Sequence, residues 1–216
     1  MIKAALIDLD GFLVNSEELY LEANQIYFKK FNFNFTEDLH RQRTGQKFAE
    51  WIKTVVSIDK TGEEILKERD IILFNLVRKK LKLLPGAKAF LDKIHKILKT
   101  ALVTSSKQDY VNLVFQITNI KKYFDVVVTG EIVKHGKPDP ECYLYAAKLL
   151  GISSSECVVF EDAPNGVLAG KNASMRVIAV PSQFVKGDVE FFKADLVLNN
   201  LSEAALEAEK WLEAQD

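Results

Sequence analysis

The chain has 216 residues, 48% hydrophobic and 27% charged, an ordinary composition for a globular protein and enough for one large domain carrying an insertion. Its 29 basic residues meet 30 acidic ones for a net charge of −1, so no basic excess exists to hold a nucleic-acid backbone, and nucleic acid is not an expected partner. Asp8 ends the first apolar run too soon for a signal core or a membrane span, and Cys142 and Cys157 show no CxxC pairing. The expectation is therefore a cytoplasmic protein with no membrane association, no structural zinc and no disulfide framework.

Residues 2–7 read as a short buried strand, broken by Asp8-Leu9-Asp10-Gly11. The strand signal then vanishes. Leu19, Ala23, Ile26 and Tyr27 recur at helical spacing, as do Ile65, Leu66, Ile72, Leu73, Leu76 and Val77, so residues 16–82 are expected to be mainly helical. Asn15 is the expected N-cap of the first helix, with Glu18 completing a box-like pattern. The patch Phe31-Asn32-Phe33-Asn34-Phe35 reads as a connection within this module. Its phenylalanines, with Phe28, read as core and not as a cofactor box.

Pro85-Gly86 closes the helical stretch, and an amphipathic helix follows through Phe90, Leu91, Ile94 and Leu98. Apolar strands at 101–104, 126–129, 158–160, 177–180 and 196–198 then alternate with helical patterns at 110–117, 140–150 and 164–173. Alternating units of this kind imply an α/β fold, a doubly wound, Rossmann-like parallel sheet covered on both faces. The expected division is a core of residues 1–15 and 83–216 and an inserted helical cap of residues 16–82. The cap is expected over the carboxyl edge of the sheet, where such sheets bind ligands.

Four polar groups fall at that edge: Asp8 with Asp10, Thr104, Lys137, and Glu161 with Asp162. Each alone has a bland explanation as a turn acid, a helix cap, a loop lysine or a helix-start acid. Their joint arrival in this order points to phosphoryl transfer. A carboxylate that attacks a phosphate monoester must be surrounded by positive charge. Lys137 offers one unit, and the carboxylates of Asp8 and Asp162 offer hard oxygen ligands of the kind Mg²⁺ takes. Asp10, two residues beyond Asp8, can serve the leaving-group oxygen as general acid and then the attacking water as base. Thr104 and the N–H groups after it can hydrogen-bond the phosphoryl oxygens.

The segments DLDGFLVNSE, VTSS, HGKPDP and FEDAPNG resemble the four motifs of the haloacid dehalogenase-like (HAD) superfamily, in its helical-cap branch (subfamily I). The resemblance spans essentially the whole chain, and the stretch from His135 to Pro181 is similar to small-metabolite phosphatases and to beta-phosphoglucomutase. It implies that Asp8 forms an aspartyl-phosphate, that Asp10 is acid and base with its backbone carbonyl facing Mg²⁺, and that Thr104 and Ser105 hold phosphate. It implies further that Lys137 steadies Asp8 and the phosphate, that Asp162 ligates Mg²⁺ and that Glu161 contacts the metal directly or through a neighbour. Ser106 and Asn165 are weaker neighbours. The cap loop Arg43-Thr44-Gly45-Gln46-Lys47 would face the active site, with Arg43, Gly45 and Lys47 as substrate contacts. Phe12 stands where the common motif has Thr, Asn15 where it has Asp, and Tyr20 where near relatives often have His.

The expected activity is hydrolysis of a small phosphorylated metabolite by a monomer. A phosphosugar mutase is the alternative, disfavoured because positions 73–76, where the mutase's substrate lysine would fall, are apolar or amide. A receiver-like signalling domain has no use for the helical insertion, and a non-catalytic module would lack one of the four groups. The run Gly130 to Lys137 is no Walker loop: the glycines stand one residue too far apart and Pro138 replaces the Ser or Thr. His40, His95 and His135 show no metal spacing and are expected at the surface.

Overall fold

The structure, a computed structural model, describes residues 1–42 and 48–213. In chain order the elements are β1 (Ala4–Ile7), α1 (Ser16–Lys29), α2 (Glu37–Gln42), α3 (Phe48–Val55), α4 (Gly62–Lys80), α5 (Ala87–Ile97), β2 (Lys99–Val103), α6 (Gln108–Thr118), β3 (Val126–Val128), α7 (Glu141–Leu150), β4 (Cys157–Glu161), α8 (Pro164–Asn172), β5 (Arg176–Ala179), β6 (Leu196–Val197) and α9 (Leu201–Glu213). The chain divides into two compact units, one of residues 1–14 and 82–216 and one of residues 15–81.

The first unit is built on a six-stranded sheet in the order β3-β2-β1-β4-β5-β6, every neighbouring pair parallel. The strands are short, apolar and buried on both faces, which is why they read as near-continuous hydrophobic runs and not as alternating ones. On one face Ala4, Leu6, Val103, Val159 and Val177 pack with Tyr143 and Ala146 of α7 and with Val167 and Ala169 of α8. Elsewhere in this unit Phe12 meets Phe90 edge-on at 5.7 Å between centroids, Phe160 lies 6.3 Å from Phe12, and Phe90 stands 4.9 Å from Phe160. Phe12 is therefore a core residue, 1% exposed, which accounts for the departure from Thr at that position.

The second unit has its own core. Tyr27, Phe28, Phe35, Trp51, Ile52 and Ile65 are buried together, with Phe31 and Phe33 packed partly against them. Phe28 stacks on Phe35 at 5.4 Å, and the biased patch is the connection between α1 and α2, as its composition suggested. Two expectations change here. Asn15 is the N-cap residue of α1, but its backbone (φ −76, ψ 37) is not the extended one a cap needs, and its side chain makes no cap bond. The capping box belongs to α4, where Glu64 N–H donates to Thr61 Oγ1 (3.1 Å) and Thr61 N–H to Glu64 Oε2 (2.7 Å). His40 is buried and not at the surface, because Glu17 Oε2 at 2.9 Å gives its Nε2 a polar partner inside. His95 and His135 are exposed.

Candidate active site

The sheet order reverses direction between β1 and β4, the switch point where a parallel sheet opens a crevice at its carboxyl edge. Ile7 pairs with Leu102 on one side and Phe160 on the other, so one step further Asp8, Val103 and Glu161 stand abreast. Asp8 N–H donates to Phe160 O at 3.0 Å, which fixes the carboxylate at the end of its strand. A tight loop follows, with Gly11 at φ 77 and both Leu13 and Val14 N–H bonded to Leu9 O, at 2.9 and 3.3 Å. Thr104 is held at the end of β2 by its N–H to Val128 O, 3.0 Å.

Lys137 comes in from the loop before α7. Its ammonium donates to Asp8 Oδ1 (2.6 Å), Glu161 Oε1 (2.6 Å) and Val103 O (3.2 Å), and its side chain is only 9% exposed. The loop that delivers it is pinned from both sides. Glu141 accepts from the N–H groups of Lys134 and His135 at 3.0 and 2.9 Å, and Asn172 Nδ2 donates to Pro138 O at 3.0 Å. A lysine that would ordinarily be solvated is thereby turned into the sheet edge.

Glu161 is bonded at both carboxylate oxygens. Its Oε1 also accepts from Tyr143 Oη (2.6 Å), and its Oε2 from the N–H groups of Asp162 (3.1 Å) and Ala163 (3.3 Å). Gly166 leaves room for it: a Cβ there would stand 1.8 Å from Glu161 Oε1. Across the site, Asp10 Oδ2 accepts from Ser106 Oγ (2.6 Å) and Thr104 Oγ1 (3.1 Å), while Ser106 N–H donates to Thr104 Oγ1 (3.0 Å). Ser105 is exposed beside them, and its carbonyl oxygen would stand 2.2 Å from a Cβ on Gly130.

Three buried carboxylates, Asp8, Glu161 and Asp162, bring oxygen atoms within 4.8 Å of one another, and the ammonium of Lys137 pairs with two of them. Burial pushes the Asp8 carboxyl well above the usual carboxylate range; Lys137 opposes this, and Glu161 and Asp10 add to it. Burial alone would depress Lys137, but the charges of Asp8 and Glu161 outweigh it and hold the ammonium well above the ordinary lysine value. The cluster thus carries surplus negative charge on hard oxygen donors, which suits a small divalent cation. Glu161 has all its acceptor positions taken by protein donors, so Asp8 and Asp162 are the side chains best placed to hold such an ion.

Comparison with known proteins agrees with this geometry. A model of the haloacid dehalogenase-like hydrolase family matches residues 5–180. The chain belongs to that family. Among its relatives, the phosphorylated carbohydrates phosphatase of Thermotoga maritima is 31% identical over 94% of this chain and 99% of its own length. The (DL)-glycerol-3-phosphatase 2 of Arabidopsis thaliana is 33% identical over 83% of this chain and 80% of its own. A Thermotoga maritima crystal structure provisionally described as a beta-phosphoglucomutase superposes with a TM-score of 0.80 at 30% identity, covering 97% of this chain and 99% of that one. The chain is accordingly a HAD-like phosphatase, a phosphoric monoester hydrolase.

Of the HAD motif residues expected from the sequence, the fold brings Asp8, Lys137, Glu161 and Asp162 into one cluster and sets Asp10 with Thr104 and Ser106. Ser106, expected only as a weak neighbour, donates to Asp10 Oδ2 at 2.6 Å. Asn165 sits half-buried in the first turn of α8. Tyr143 carries little sequence signal, because its position in the α7 pattern is an ordinary apolar one; its place six residues after Lys137 is the only hint. Arg43, Gly45 and Lys47 lie outside the described residues.

Proposed function

We propose that the protein is a Mg²⁺-dependent phosphatase of small phosphorylated metabolites (sugar, polyol or nucleoside phosphates) that works through an aspartyl-phosphate on Asp8. The observation that carries this reading is the buried bridge in which Lys137 joins Asp8 to Glu161 beside Asp162. A phosphate monoester brings like charge to a carboxylate, at a cost of about 4 kcal/mol per unit pair at about 4 Å and an effective dielectric of about 20. A carboxylate nucleophile is therefore effective only where positive charge is already fixed. Lys137 fixes one unit 2.6 Å from Asp8. Mg²⁺ held by Asp8 and Asp162, with Asp10 through its backbone carbonyl, would neutralise the phosphoryl oxygens as a Lewis acid.

The remaining steps use the chain's own groups. Asp8 attacks phosphorus to give an acyl phosphate, and the ester oxygen leaves with a proton from Asp10. Asp10 then takes a proton from the water that attacks the acyl phosphate, which releases inorganic phosphate and regenerates Asp8. Thr104 and the Ser105 N–H hold the phosphoryl oxygens. When Thr104 turns to phosphate, Ser106 Oγ still donates to Asp10 Oδ2. The setting we propose is cytoplasmic, supported by two free, buried thiols at Cys142 and Cys157.

The test is phosphate release across a panel of phosphorylated sugars, polyols and nucleosides, with and without Mg²⁺. Asp8→Asn should lose at least about 10³-fold in kcat. Wild-type turnover in that variant would refute the nucleophile. One observation favours a second reading, a phosphosugar mutase: the likeness to the Thermotoga structure described as a beta-phosphoglucomutase. The same panel separates the two, since isomerised sugar without free phosphate marks a mutase.

A further inference from the structure

We infer that Tyr143 is a positioning residue of the phosphoryl-transfer site, whose hydroxyl fixes Glu161 so that the Lys137 ammonium stays directed at Asp8. The inference rests on the reading of Asp8 as nucleophile. An ammonium has three hydrogens, and Lys137 spends them on Asp8 Oδ1, Glu161 Oε1 and Val103 O. Where its charge is felt depends on how strongly Glu161 competes with Asp8 for it. A carboxylate offers about four acceptor positions, and Glu161 has four donors: Lys137 and Tyr143 on Oε1, and the N–H groups of Asp162 and Ala163 on Oε2.

Two of those donors are backbone and immovable. On the far side Gly166 forms a wall, because the space a Cβ would take is already filled by the Glu161 carboxylate. The Tyr143 hydroxyl, 2.6 Å from Oε1, is thus the side-chain contact that holds the remaining degree of freedom, rotation of Oε1 toward the lysine. The same ring faces the ammonium at 5.1 Å from its centroid, so one side chain bounds both partners. Tyr143 is fully buried, and burial followed by the charge of Glu161 pushes its phenol well above the ordinary tyrosine value, so it stays a neutral donor. Without the hydroxyl, Oε1 has one donor left, Lys137, and the ammonium is drawn from Asp8 toward Glu161.

The experiment compares Tyr143→Phe with wild type in Mg²⁺-supported hydrolysis of p-nitrophenyl phosphate, alone and in a Glu161→Gln background, with urea midpoints for every variant. Tyr143→Phe keeps the ring and the packing. The expected result is a fall in kcat of about tenfold with KM unchanged within about twofold. In the Glu161→Gln background the same substitution should change kcat by less than about twofold, since its route of action is already cut. 4-Aminophenylalanine at position 143, which restores a donor on the ring, should recover most of the loss, and it serves as the folded comparison should Tyr143→Phe not fold. An unchanged kcat in Tyr143→Phe, or equal falls in both backgrounds, would overturn the inference while leaving Asp8 as nucleophile. Undiminished hydrolysis by Asp8→Asn would overturn both.

Discussion

At the scale of single residues, the motif positions divide into those that concern packing and those that concern chemistry. Phe12 stands one residue after the DLDG turn yet belongs wholly to the aromatic group of Phe90 and Phe160. Phe12→Thr, which restores the motif, should leave a cavity there and destabilise the protein by about 3 kcal/mol, as large-to-small core changes do. Urea denaturation would measure it, and a loss below about 1 kcal/mol would show that the aromatic group closes over the gap. Ser106 is the opposite case. Its sequence context, a serine among Thr104-Ser105-Ser106, suggests only a turn, while its Oγ lies 2.6 Å from Asp10 Oδ2. Ser106→Ala should lower kcat about tenfold with little change in stability, read as turnover of p-nitrophenyl phosphate against the urea midpoint. Chain order could place Asp8, Thr104, Lys137 and Asp162 at one sheet edge because each follows, or lies in a loop beside, an apolar run. The partners of Asp10 and Glu161 come from side-chain direction, which no one-dimensional pattern carries.

At the scale of elements, the two edge strands are joined to their inner neighbours by the same device. Asp125 precedes edge strand β3, donates its N–H to Thr100 O at 2.9 Å and accepts from Thr100 N–H through Oδ2 at 2.8 Å. Asp195 precedes edge strand β6 and does the same to Val177, at 2.9 and 2.7 Å. The apolar runs make the strands legible, and the acids before them look like turn residues. That they lock the first rung of each outer ladder needs the register. Burial alone would raise both carboxyls, but for Asp195 the bonds from Lys171 and the Val177 N–H, and for Asp125 the Thr100 N–H and Lys99, outweigh it and leave both below the usual value. A pKa depressed on folding adds stability that is present above the unfolded carboxylate value, about 4, and is lost as pH falls through the folded one. The urea midpoint of the wild type should therefore drop more steeply below about pH 4 than that of Asp195→Asn, which keeps an acceptor for Val177 but does not titrate there. At pH 7 the variant should be less stable by about 1 kcal/mol, a modest figure because the pair is partly exposed. Parallel acid limbs in the two proteins would show that this bond carries no pH dependence.

At the scale of the whole molecule, a helical unit with its own core is inserted into one that holds Asp8, Asp10, Thr104, Lys137, Glu161 and Asp162. In the sequence, helical periodicity replaces the strand signal between Asn15 and Pro85, a detour that a doubly wound sheet does not need after its first strand. What distinguishes an appendage from a separately stable body is its interior. Residues 15–81 have one, in which Phe35 is 1% exposed, stacked on Phe28 at 5.4 Å and edge-on to Trp51 at 6.2 Å. Phe35→Ala removes the ring that joins those two, at a cost of about 3–5 kcal/mol. If the unit's stability is its own, the loss should appear as faster native-state hydrogen exchange in α1, α3 and α4, with the amides of β1, β2 and β4 keeping wild-type protection. Equal loss of protection in the sheet would mean that the two units unfold as one cooperative body. In that case a mutation in the helical unit would change the population of folded active site directly, and its kinetic effects would have to be corrected for stability before any could be assigned to substrate choice.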